Sequence, residues 1–249
     1  MATISKTGIT VGGTIQPIHV KNIINALDGT SNDDIIINGT IATGFGTSAA
    51  AINSHAEGLG SSASGPHSHA EGSGTAANGI GSHAEGSGTT ATGGFSHAEG
   101  DTTTATGDYS HAEGTYTQST GYASHAEGNA TMATGDCSHA EGNNAIALGF
   151  SSHAEGNATI ASGSYQHVQG QFNTHGDTTS LMIVGNGTTP TLRKDAFKVT
   201  MSGSIVLPTT QSAAPTWTGT DGEMIFATIS GDHRFYVWMS GAWRSGSLA

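Results

Sequence analysis

The chain has 249 residues, a formal net charge of −12, 38 glycines, 35% hydrophobic, 10% charged and 6% aromatic residues. So few large apolar groups exclude a broad conventional core, and burial must come from small side chains packed tightly and from partner chains. The seven basic residues are Lys6, Lys21, Arg193, Lys194, Lys198, Arg234 and Arg244, so positions 22–192 offer no cationic footprint, which argues against nucleic acid and anionic membranes as partners.

The first 39 residues are not repetitive. Met1–Thr10 lacks the apolar core of a signal peptide, and no run of about 20 apolar residues occurs anywhere, so export by the usual secretory signal is not expected. Ile18, Val20, Ile23, Ile24 and Leu27 recur at near-helical spacing between Pro17 and Gly29, which predicts one short amphipathic helix over 17–27. A strand at Ile35–Ile37 would follow, ending in the turn Asn38-Gly39.

Eight copies of Ser-His-Ala-Glu-Gly then begin at Ser54, Ser68, Ser82, Ser96, Ser110, Ser124, Ser138 and Ser152, every step being 14 residues. A period that tolerates no insertion predicts one solenoid turn per unit. Thr40–Gly44 reads as a degenerate first turn and Gln166–Gly170 as a degenerate last one, giving roughly ten turns over residues 40–176. Each unit has a second half with its own Ala-x-Gly, as in Ala91 and Gly93, so a turn is read as two short strands joined by two glycine corners.

Side chains alternate faces along a strand, so Ser54 and Ala56 point one way and His55 and Glu57 the other. Ser, Ala and Thr therefore fill a thin interior. The first-half outer face is His and Glu in all eight copies, whereas the second-half outer face drifts from Ser62 and Ser64 to Ile146 and Leu148. A face identical in every turn suits a partner with the same rise, and the simplest is another copy of the roll.

The expected assembly is a homotrimer. Its axis would be lined by His55, Glu57, His69, Glu71, His83, Glu85, His97, Glu99, His111, Glu113, His125, Glu127, His139, Glu141, His153, Glu155 and His167, each Glu paired with a His of a neighbouring chain. A His-x-Glu pattern recurring in every turn suits such a polar zipper better than a discrete metal centre, so no metal and no cofactor is assigned. A Ser-His-Glu triad is excluded because Ser110 and His111 lie on opposite faces of one strand. The aspartates of calcium-binding rolls are missing, and Thr-x-Thr aligns only at Thr90-Ala91-Thr92 and Thr104-Ala105-Thr106. The lone Cys137 excludes an intrachain disulfide and is read as a packing residue.

Six of the fifteen aromatic residues, Trp217, Phe226, Phe235, Tyr236, Trp238 and Trp243, concentrate near the end of the C-terminal segment 177–249. Strands are predicted at Glu223–Ala227, His233–Met239 and Ala242–Arg244, with a turn at Ser240-Gly241. These aromatics form a core or trimeric cap, with Trp217, Tyr236, Trp238 and Trp243 the candidate contacts should the domain grip a glycan or protein receptor.

The paired x-Ala-x-Gly half-turns resemble the head domain of trimeric autotransporter adhesins, which implies a left-handed parallel β-roll packed around a three-fold axis. The Ser-His-Ala-Glu-Gly form, followed by Ile183-Val184-Gly185-Asn186-Gly187 and Arg193–Val199, is similar to phage fibre and appendage proteins with a self-cleaving C-terminal chaperone. Residues 1–39 resemble the start of fibres in crAss-like phages, and Gly222–Ser245 the small β-domain that closes many phage fibres. The chain ends at Ala249, too soon for the chaperone, so no autoproteolysis is expected, and neither a coiled-coil stalk nor a membrane barrel is expected. The resemblance thus implies an all-β, non-enzymatic virion protein, assembled in the host cytoplasm. Residues 1–39 would attach to other virion proteins, and 177–249 form a connector and tip. The alternative is a bacterial trimeric surface adhesin that binds host matrix or glycans.

Overall fold

A computed structural model describes residues 40–207, 218–221, 224–229 and 232–247. The helix expected over 17–27, the strand at Ile35–Ile37 and Trp217 lie outside these residues. Ten five-residue strands, from Ile41–Phe45 to His167–Gln171, stack in parallel. Nine two-residue strands, from Ser48–Ala49 to Ile160–Ala161, form a second parallel sheet. Each strand pairs with the one a repeat later, so His97, Ala98, Glu99 and Gly100 lie beside His111, Ala112, Glu113 and Gly114. The chain is therefore a parallel β-solenoid in which one 14-residue unit makes one turn.

The interior follows the alternation read from sequence. Alanines such as Ala84, Ala91, Ala98 and Ala105 are fully buried, together with Ser96 and the row Thr75, Thr89 and Thr103. Ser119 replaces one alanine and divides the apolar core into two clusters. Its hydroxyl is satisfied by Ser124, at 2.6 Å. The serine has a definite task in all the repeats but one, because Ser96 Oγ, for example, donates to the Gly93 carbonyl at 2.7 Å and so closes the preceding corner. Replacing Ser96 by alanine removes one buried bond and should cost about 1 kcal/mol in denaturant unfolding. Ser138 makes no such bond, and Ser138→Ala is the matched control with an effect near zero.

The two invariant glycines do not turn the corners, contrary to the sequence reading. Gly100 lies inside the long strand His97–Asp101, with φ +106°. Gly107 has no positive φ, but a Cβ there would sit 2.0 Å from the Gly121 carbonyl oxygen. The corners turn instead on variable residues seven apart, Phe95, Thr102, Tyr109 and Tyr116, all with φ between 56° and 59°. These left-handed conformations cost a non-glycine residue about 1 kcal/mol each. Cys137 occupies one such corner and is exposed rather than packed.

After the last repeat, a segment to which no strand had been assigned continues the long sheet. Ser180–Asn186 adds in parallel to His167–Gln171, and Asp195–Thr200 and Ile205–Val206 follow antiparallel. Asn173 ends the short sheet, its side chain accepting from Ile160 N at 2.7 Å and donating to Ile160 O at 2.9 Å as a further strand would. Lys198 Nζ lies 2.9 Å from Asp177 and 2.8 Å from the buried Asp195. Burial pushes the Asp177 carboxyl up, but hydrogen bonds from Lys198, Thr179 and Ser180 outweigh it and hold it well below the usual carboxylate range. This cluster pins the antiparallel strand across the end of the solenoid and protects its edge.

A separate three-stranded antiparallel sheet comprises Met224–Ile229, Asp232–Met239 and Ala242–Ser247. The hairpin turn falls at Ser240 (φ 53°) and Gly241 (φ 80°), as expected, because two left-handed residues match the strand twist.

Candidate functional site

The long sheet presents the His and Glu columns on its outer face. From His55 to His167, successive imidazoles stack with centroids 4.7–4.8 Å apart and planes within 12°. Each side chain is only about one-third exposed, as for His111 at 35% and Glu99 at 33%. The stacking follows from a parallel register that places like on like at every turn.

The carboxylates find histidines within their own chain. His111 Nε2 lies 3.7 Å from Glu99, His125 3.3 Å from Glu113 and His139 3.2 Å from Glu127, each Glu belonging to the preceding turn. At the first two repeats the nearest carboxylate is in the same turn, at 3.8 Å. The sequence reading had assigned each Glu a histidine of a neighbouring chain. The strand rise makes the adjacent turn of the same chain a near source of histidines as well. Of these contacts, only those of His125 and His139 have the geometry of hydrogen bonds. The Nε2 atoms of His69, His83, His97, His111, His153 and His167 are hidden from solvent without a hydrogen-bond partner. Seven of the histidines, from His69 to His153, also sit between two carboxylates, as in Glu85, His97 and Glu99, whose donor atoms all lie within 4.8 Å of one another.

Partial burial lowers the His69 pKa, as do the charges of His83 and His55, against the opposing pull of Glu71 and Glu57. At Glu141 burial raises the pKa, but hydrogen bonding with Glu155 and Glu127 and the charges of His139 and His153 leave it lowered. Both groups take up protons more readily when unfolded, so stability is full above the ordinary histidine value of 6.5 and falls as pH drops below it. Thermal unfolding from pH 8 to about pH 4 should show the melting temperature constant at first and then declining; a rise on acidification would contradict the lowered values of His69 and Glu141.

Beside this face runs a feature not noticed in the sequence. Ile52, Ile80, Phe95, Tyr109, Tyr122, Phe150 and Tyr165 stand two or three residues before a repeat's His-bearing strand, all 46–65% exposed. Phe95 and Tyr109 stack at 5.4 Å, while Tyr109 and Tyr122, and Phe150 and Tyr165, meet edge to face at 5.5 Å. The signal was one large apolar residue in most turns. It was masked because the residue alternates between two adjacent slots. On the other side of the Glu column, the strand glycines leave a shallow trough lined by Glu57–Glu113 and Gly58–Gly114.

In the C-terminal sheet, Tyr236 is buried, and Trp238 and Trp243 lie opposite each other with rings edge to face at 5.3 Å. A Cβ on Gly219 would reach both tryptophans within 2.9 Å, so the segment 218–221 packs against this pair. Two of the candidate receptor contacts, Trp238 and Trp243, are thus brought together. No protein-family model matches the chain, and no curated protein is significantly similar to it.

Proposed function

We propose that the chain is the structural subunit of a homotrimeric bacteriophage fibre. Residues 40–176 form a left-handed roll that serves as shaft or head, residues 1–39 dock on other virion proteins and 177–249 form the distal end. The repeat and the exit sequence resemble phage appendage proteins, and that resemblance supports the virion setting. The observation that carries the trimer is the row of exposed Ile, Phe and Tyr side chains bordering a face that is the same in every turn. An apolar row of this length is unusual on a soluble monomer. A partner that covers it turn by turn must share the solenoid's rise, and two further copies of the chain do. The trough along the glycines would let a neighbouring backbone approach closely. The His and Glu columns then fix the lateral fit between chains, while the non-repetitive ends set absolute register. Trp238 and Trp243 are the surface offered to a receptor glycan or protein. The roll carries no catalytic role in this reading.

Imaging intact particles with an antibody against residues 218–247 tests the assignment. Label at the tips of projecting fibres is expected. Label confined to the bacterial surface would overturn it in favour of the adhesin.

A further inference from the structure

We propose that the His and Glu columns bind divalent transition-metal ions of the zinc class, each held by one imidazole and the carboxylates of its own and the preceding turn. Zinc bonds of about 2.0–2.1 Å in tetrahedral geometry place donor atoms about 3.3 Å apart. His Nε2 and the preceding-turn Glu Oε1 are separated by 3.6 Å at His97, 3.2 Å at His139 and 3.4 Å at His153. At most turns that spacing is loose for a hydrogen bond and close to that of two ligands sharing an ion.

The hidden Nε2 atoms are the second observation. Six of them lack a hydrogen-bond partner, and a buried polar atom left unpaired is costly. With the proton on Nδ1, the Nε2 lone pairs of His69, His83, His97, His111 and His153 each face two carboxylates, whereas His167 has Glu155 and Gln169 beside it. An ion there satisfies nitrogen and oxygens together. Imidazole with carboxylate suits zinc, nickel or copper rather than calcium or magnesium, which prefer all-oxygen shells. Three protein donors leave a coordination position for water, consistent with side chains one-third exposed.

Seven such Glu-His-Glu sets occur among the described residues. Neighbouring sets share a glutamate, and ions in successive turns would lie about one strand spacing of 4.8 Å apart and repel strongly. Occupation of alternate turns is expected, about four ions per chain. Every set lies within one chain, so the sites do not depend on the trimer or on a virion role.

The test uses the full chain without an affinity tag, in a Cys137→Ser background so that no thiolate contributes. After chelator treatment and dialysis against zinc chloride, atomic emission should find about four zinc ions per chain. The variant E71Q/E85Q/E99Q/E113Q keeps the shape of the column but removes carboxylate donors from five of the seven sets, and should retain about one. Cobalt(II) added to the unmutated column should show the intense visible absorption of four-coordinate sites, a reading that needs no variant to fold. One ion or fewer in the parent protein, equal retention by the variant, or a weak octahedral cobalt spectrum would overturn the proposal.

Discussion

Gly100→Ala should divide the solenoid at its middle. A Cβ at this position would lie 2.1 Å from the Gly114 carbonyl oxygen and 3.0 Å from its nitrogen. Both atoms belong to the backbone of the next turn, whose hydrogen bonds hold it at strand spacing, so no side chain can give way. The φ of +106° adds strain that no L side chain tolerates well. Relief requires lifting one turn off another, with loss of ladder hydrogen bonds on both sides, and the expected cost is about 4 kcal/mol or more. Each turn touches only its neighbours, so the damage should be local. Limited proteolysis should cut near residues 100–115, and the melting transition should fall and broaden. Gly88→Ala is the informative control. Gly88 is a corner residue with φ +63°, its nearest foreign atom is Thr102 Oγ1 at 3.7 Å, and the equivalent corners already hold Ala130 and Ala158. Its cost should be only about 1 kcal/mol. Equal effects of the two substitutions would contradict the assignment of close approach to one glycine row and of turning to the other.

Ala98→Leu should have the second largest effect. Ala98 is fully buried, with Ala84 and Ala112 as strand neighbours, and the interior rows at this level hold only Ser, Thr and Ala. Three extra carbons have no space, and the neighbours are too short to change rotamer and make room. The cost should approach the upper end of the 1–3 kcal/mol typical of overpacking. The same column accepts Val168 only at the last repeat, where Ile183 of the capping strand also enters the interior. Chemical denaturation gives the readout, and an unchanged midpoint would mean that the interior is not filled by its small residues.

Much of this architecture was legible because a 14-residue period constrains so strongly. The alternation of Ser-His-Ala-Glu told which residues go inside, and the Ser240-Gly241 turn told where the last hairpin reverses. The role of each glycine was not legible. Invariance in a repeat marks either positive φ or close approach, and Gly100 and Gly107 meet the need differently while Phe95 and Tyr109 take the corners. The aromatic edge was missed because Phe95 and Tyr122 occupy adjacent slots rather than one column. The strands at Ser180–Asn186 and Asp195–Thr200 gave little local signal. What places them is the unsatisfied end of the solenoid, with Asn173 and the Lys198 cluster as fasteners. For the His and Glu columns, the sequence marked the residues but did not foresee the contacts between turns of one chain. The pairing of His111 with Glu99 depends on side-chain reach across a turn, which no spacing rule gives.

In the proposed assembly, three copies of the roll pack along the His-Glu face and its apolar edge. Sedimentation equilibrium of the purified full chain, in a buffer containing a chelator so that metal bridging cannot contribute, tests it most directly. A single species of three times the 25.0 kDa chain mass is expected, which the replacements Phe95→Ser, Tyr109→Ser and Tyr122→Ser together shift toward the monomer. A parent protein that sediments as one 25.0 kDa chain at all concentrations would contradict it.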